Sequence, residues 1–113
     1  MNKVILTGNI TKDLELKQSG DTKILKFHIA VKRDKDNVDF IPIAAFGKIA
    51  ETTAKFCSKG SKVLVTGVLR INQYEDKDKI KRYSTEVIAE NYGGIEFLGS
   101  TKKVEVDENL FVD

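Results

Sequence analysis

The chain has 113 residues, 41% hydrophobic and 32% charged, with one cysteine and a formal net charge of +2. That length favours a single domain, and that balance excludes an intrinsically disordered chain. No apolar run approaches the roughly 18 residues of a membrane-spanning helix, and a lone Cys57 excludes both an internal disulfide and a cysteine-cluster metal site. The first residues, Asn2 and Lys3 before a short apolar strand, carry no signal-peptide pattern, so a cytoplasmic protein is the default expectation. Charge is unevenly placed. Residues 1–100 hold 17 basic against 13 acidic side chains, whereas residues 101–113 hold 2 against 4. A basic body with an acidic tail suits a polyanionic partner, although ordinary solubilising charge is the simpler explanation.

In chain order, "NKVILTGNI" is a β-branched apolar run closed by Gly8–Asn9, which predicts a strand and a turn or bulge. "LELKQSGDTK" alternates Leu14 and Leu16 with Glu15 and Lys17 before a turn at Ser19–Gly20–Asp21. "LKFHIAVKR" alternates cleanly, with Leu25, Phe27, Ile29 and Val31 on one face and Lys26, His28, Ala30 and Lys32 on the other. "RDKDNVD" is a polar hairpin loop. "FIPIAAF" is a strand in which Pro42 implies an edge or a bulge. "GKIAETTAKFCSKG" predicts one helix, burying Ile49, Thr53, Phe56 and Cys57 and capped by Gly60.

"KVLVTGVLRI" follows as a strand with Gly67 at its midpoint, a place for a sharp bend. In "RINQYEDKDKIKRYSTEV", Arg70–Val87, nine of eighteen residues are charged, yet Ile71, Tyr74, Ile80 and Tyr83 recur. This reads as an extended β-hairpin arm around a turn at Glu75–Lys79. "STEVIAENYGGIEFLG" supplies a closing strand and a further short extended piece. The fold expected is all-β, a five-stranded Greek-key barrel of the OB type, with one helix between strands 3 and 4 and the arm. Residues 1–100 form that domain, and 101–113 read as a short acidic, flexible tail.

Catalysis finds little support. His28, the sole histidine, stands on a polar face beside two lysines with no second ligand at metal spacing. Cys57 falls on the apolar helix face, where a buried thiol is expected rather than a nucleophile. Gly47–Lys48 and Lys59–Gly60 lack the glycine spacing of a phosphate loop. The aromatics carry more. Phe27 and Phe56 fit apolar periodicity and read as core. Phe40, Phe46 and Tyr74 admit two roles, as core or subunit contacts or as platforms for unpaired bases with lysine and arginine between them.

"NKVILTGNITKDLEL", "FHIAVKR", "FGKIAETTAKFCSKGSKVLVTGVLR" and "KRYSTEV" resemble, in order and spacing, the bacterial and phage single-stranded DNA-binding proteins. The resemblance spans residues 1 to about 99. It implies an OB-fold without catalysis or cofactor, assembled as a homo-oligomer (tetramer favoured over dimer), that covers single-stranded DNA in replication, recombination or repair. It places the stacking aromatics on Phe40, Phe46 and Tyr74 and a phosphate contact on Lys48. Lys3, Lys59, Arg70 and Arg82 match basic positions of the fold. Departures are also visible. The chain has no tryptophan, Lys35 is the nearest residue to an aromatic that relatives carry before Phe40, and Asn72 and Gln73 replace basic residues. Ile41 stands where some relatives place a histidine linked to subunit contacts. The tail ends "VDENLFVD", so Phe111 is not terminal, a form nearer to a phage version and a weaker recruiter of replication proteins. Rival readings are an OB-fold that binds RNA or acts as a primosome or protein-interaction module, and an enzyme using Cys57.

Overall fold

Alternation becomes architecture most plainly in the strand Thr22–Lys32, where Leu25, Phe27 and Ile29 are buried and Lys26, His28 and Lys32 are exposed. The computed structural model describes residues 1–100, so the acidic tail expected over 101–113 lies outside the described residues. Along the chain run β1 (Val4–Ile10), β2 (Lys17–Ser19), β3 (Thr22–Lys32), β4 (Val38–Phe46), α1 (Lys48–Phe56), β5 (Ser61–Glu75), β6 (Lys81–Ala89) and β7 (Ile95–Ser100). Pairing follows the order β1-β3-β4-β6-β5, and β5 returns to β1, so five strands close a ring. All neighbours are antiparallel except β4 and β6, which are parallel and join only at Ile43–Val87 and Ala44–Ile88. β2 adds to β3, and β7 adds to β5. The expected five strands are this ring, the helix lies between its third and fourth members, and the arm is the outer half of β5 with β6.

The ring is filled from every strand. Ile10, Leu25, Ile29, Ile43, Val63, Val65 and Val87 are almost fully buried, and α1 adds Ile49 and Ala50. Two of its members lie where a glycine is sterically required. A side chain on Gly8 would meet the Ala30 carbonyl oxygen at 2.6 Å, and one on Gly67 would meet that of Ile88 at 2.1 Å. Gly67 is also the residue at which β5 leaves β1 and takes up β6. Beyond it, Asn2 continues the β1 side of the ladder with its side chain, donating to the Leu69 carbonyl and accepting from the Leu69 amide, both at 2.8 Å. Pro42 is accommodated by the register. Its partner His28 directs its carbonyl away to Thr11, so the missing Pro42 N–H faces the side where pairing with β6 starts one residue later.

Three expectations are corrected. Phe56 is not core but 64% exposed, its ring 5.3 Å beneath the Lys55 ammonium. It is the last residue of a short helix and falls at the edge of the stripe made by Ile49, Ala50 and Thr53. Gly60 does not cap α1. The helix stops at Phe56, extended Cys57 donates to the Thr53 carbonyl, and Gly60, at φ 92°, turns the chain into β5 and donates to Ile10. Leu14 and Leu16 do not form a strand. Leu14 packs on the core from a loop, and Leu16 is exposed just before the three-residue β2.

Gly67→Ala places a methyl group inside the contact distance of a backbone carbonyl that has no flexible end to move. The variant is expected to lose about 1–3 kcal/mol, the usual cost of overpacking. At roughly 4–8 °C per kcal/mol for a domain of this size, thermal melting resolves that loss. An unchanged melting temperature would show that β5 and β6 part there without cost.

Candidate nucleic-acid interface

Which side chains share a face is decided by register, because a strand's side chains alternate. Ile43 and Val87 are partners and both are buried, so their neighbours Ala44 and Ile88 belong to the outer face. The same parity carries β4 outward at Phe40 and Phe46 and β3 outward at Lys26, His28 and Lys32. Through the β5–β6 pairs Arg70–Glu86 and Tyr74–Arg82 it carries Arg70, Tyr74 and Arg82 outward as well. Phe40, Phe46 and Tyr74 therefore lie on one continuous outer face with four cations and His28. Phe40 is 64% and Tyr74 52% exposed, and Phe46 is half-buried. Six residues of β4 separate the two phenylalanines, about 20 Å.

Each exposed ring stands beside a stiff turn. Before Phe40, the Arg33 Nε donates to both Asp39 oxygens at 3.1 and 3.2 Å, with Nη2 closing the fork. Asp34 accepts the amides of Asp36 and Asn37 and the Asn37 side chain, each at 3.0 Å. Beyond Tyr74, the Asp76 carboxylate accepts the amides of Asp78 (2.9 Å) and Ile80 (3.0 Å) and the Arg82 Nε (2.8 Å). Lys79 at φ 62° completes that reversal. The turn begins one residue later than the sequence implied. Hydrogen-bond donors, charged and neutral, set the acidity of these groups. The Arg82 guanidinium first, then the Ile80 amide, hold Asp76 below the usual carboxylate range. Arg33 does so for Asp39, and the amide of Asp36 followed by the Asn37 side chain does so for Asp34.

The eight residues singled out from sequence do not all converge. Lys48 joins Phe46 and Gly47 in a groove of about 340 Å³ at the start of α1, a helix whose N-terminus carries no side-chain cap. Arg70 lies across from Glu86, and Arg82 is engaged with Asp76, so both share the face but contend with a carboxylate. Lys3 pairs with Glu90 at 3.4 Å on an exposed surface. Such pairs are weak enough for a phosphate to replace the carboxylate. Lys59 sits in the α1–β5 loop beside the end of β1 and lines neither the Phe40 nor the Phe46 groove.

Three contributors were missed. His28 and Lys12 line a groove of about 270 Å³ with Phe40 and Thr11, and both continue into one of about 520 Å³ beneath the β1–β2 loop. The alternation of β3 put His28 on the outer face, but only pairing brings it beside Phe40. Tyr92 lines the Phe46 groove from the β6–β7 turn, and no periodicity pointed to it. Cys57 is buried, and burial pushes its thiol up, which makes a poor nucleophile. Among the described residues no group of three or more histidine, cysteine, aspartate or glutamate side chains could hold a metal, and no helix is long and apolar enough to cross a membrane.

Residues 1–97 match the single-strand binding protein family. The chain belongs to that family. It is 42% identical to the single-stranded DNA-binding protein of Clostridium perfringens over 100 residues, 85% of this chain and 67% of that one. It is 41% identical to single-stranded DNA-binding protein 3 of Clostridium acetobutylicum, across 98% of this chain and 81% of that one. With single-stranded DNA-binding protein 1 of Staphylococcus aureus the identity is 38%, across 98% and 74%. The closed five-strand ring is consistent with the OB-fold implied by the resemblance. These relatives are bacterial proteins, and they lend no support to a phage version or to an RNA-binding or primosome role.

Acid should loosen both turns first. Asp34, Asp39 and Asp76 have lowered folded-state pKa values, so the stability they contribute is present above the ordinary aspartate value of 3.8 and is lost as pH falls below it. Amide resonances of Asn37 and Ile80 are expected to titrate below pH 3.8 while those of the ring, such as Val65, do not. Asp76→Ala should reproduce the change at Ile80 at neutral pH with little effect on melting. Ring and turn amides shifting together would show that the turns have no local stability of their own.

Proposed function

We propose that the protein binds single-stranded DNA without sequence preference and without catalysis, laying the strand over the outer face of the sheet β3-β4-β6-β5. The observation that carries this is the grouping of Phe40, Phe46 and Tyr74 on that face with Lys26, Lys32, Arg70 and Arg82. Exposed rings have little to gain from water, and every base has a flat face to stack on. Cations of the same face lie within reach of the phosphates that follow each base, and Lys48 does so beside Phe46. The names of the bacterial relatives agree. Covering single strands in replication, recombination or repair, in the cytoplasm, is the corresponding role, with residues 1–100 as the binding domain.

Self-association is part of the proposal. The inner face of the ring continues onto the arm as Leu69, Ile71 and Tyr83, all exposed, beside a groove of about 310 Å³ lined by Val4, Leu6 and Ile41. An apolar stripe of this kind supports a contact between copies, and the family resemblance favours four copies over two. Ile71→Lys should reduce the mass measured in solution if the stripe is that contact.

The deciding experiment is titration with oligo(dT) of several lengths at two salt concentrations, with the mass of the protein measured alongside. Log affinity should fall linearly with log salt by about 0.7 per phosphate neutralised, and Lys48→Ala should make the slope shallower. Salt-independent affinity would remove the nucleic-acid reading.

Tyr74 separates binding from folding. Its ring is half exposed and stands across from Arg82. Tyr74→Ala should leave the melting temperature nearly unchanged and weaken oligo(dT) binding by about five- to a hundredfold, the worth of one stacking platform. Tyr74→Phe should bind like the parent. If the alanine variant unfolds or changes mass while its folded fraction binds normally, the tyrosine is a packing residue.

A further inference from the structure

We infer that Tyr92 is a fourth base-stacking platform, which carries the strand past Phe46 and off the end of β4 onto the β6–β7 turn. The inference rests on the single-stranded DNA reading and deepens it. Tyr92 is 94% exposed, the most exposed aromatic among the described residues. A ring so placed contributes almost nothing to packing. It is nevertheless held on a stiff support. Glu90 donates its amide to the Thr66 carbonyl at 2.9 Å, and Thr66 donates its own to Gly94 at 2.8 Å, so one residue of β5 clamps both ends of the turn. Gly93 sits at φ 70°, and a side chain on Gly94 would fall 2.2 Å from the Glu90 carbonyl oxygen, so the turn is as tight as glycine allows.

What Tyr92 faces gives the ligand its chemistry. It shares the groove of about 340 Å³ with Phe46, Lys48, Asn91 and Thr22. That volume is at the lower end for a small-molecule site and suits one planar base with its sugar. Two rings offer faces, the Lys48 ammonium is placed for a phosphate, and the Asn91 amide offers both a donor and an acceptor to a base edge. The combination selects an unpaired nucleotide over an apolar peptide, which would leave the lysine and asparagine unsatisfied. A rigid turn also means that little conformational freedom is lost when the base arrives. The footprint therefore extends at the Phe46 end by about one nucleotide relative to a face that stops at Phe46.

The chain has no tryptophan, so Tyr92→Trp installs a single reporter. With the full chain and oligo(dT), its emission is expected to be quenched on binding and to recover as salt releases the strand. Tyr92→Ala should melt like the parent and bind long oligo(dT) about five- to a hundredfold more weakly, and Tyr92→Phe should bind like the parent. Normal binding by Tyr92→Ala, in a series where Phe46→Ala is weakened, would overturn the role of Tyr92 and leave the general reading intact. Equal loss in Tyr92→Phe and Tyr92→Ala would overturn stacking, because the ring is retained in the former. A changed mass with unchanged affinity per strand would make Tyr92 a subunit contact and overturn it too. If the parent itself does not bind oligo(dT), the underlying reading fails before any variant is compared.

Discussion

Everything in this molecule depends on β5 having two sets of partners. Over Lys62–Gly67 it closes the ring against β1, and over Gly67–Glu75 it pairs with β6 and runs out past the ring as an arm. One backbone cannot serve both without a close approach at the changeover. Gly67 provides it, lying against the Ile88 carbonyl at a distance no side chain tolerates. The closure holds Val63 and Val65 in the core, and the continuation makes the outer face of the barrel and that of the arm one surface. An independent loop in place of the arm would have no such continuity with the rings on β4.

That continuity explains how a small barrel presents aromatic side chains without dissolving its own core. Inward positions take the aliphatic residues that fill the ring, and outward positions take rings and cations. The parallel seam between β4 and β6, joined at only two partner pairs, matters most for this division. Like the β1–β3 junction it is short, and it transmits the register from the phenylalanines to the arm. Asn2 reinforces the same region from the other edge, standing in for a residue of β1 beside Leu69.

Much of this was legible in the residues. The alternation around Phe27 named its strand and its faces correctly, because a half-buried strand has a period of two that nothing else mimics. The charged hairpin was visible from its recurring isoleucines and tyrosines. What escaped was local geometry decided by tertiary contact. Phe56 fitted the helical stripe in projection, but the helix ends there and the ring falls at the stripe's edge. Gly60 had the left-handed conformation expected of a cap and used it four residues later, to enter β5. On the candidate face, Phe40, Phe46 and Lys48 could be named from resemblance, whereas His28 joins Phe40 only through pairing of β3 with β4. Tyr92 sits in a turn, where no periodic signal exists to reveal it. Arg82 and Lys3 could be matched to basic positions of the fold, but their pairing with Asp76 and Glu90 could not be read, because those carboxylates come near only on folding.

The pairing of Tyr74 with Arg82 restricts how such an arm can change length over time. Adding or removing one residue in either strand between Gly67 and the turn would exchange its two faces. A change in β5 would turn Tyr74 toward the side of Ile71 and Tyr83 and put Gln73 or Glu75 in its place among the cations. Only changes by two residues in a strand, or changes confined to the Asp76–Ile80 turn, keep the two surfaces apart. Arms of different reach in this family should therefore differ by even steps along their strands, with odd differences gathered at the tip.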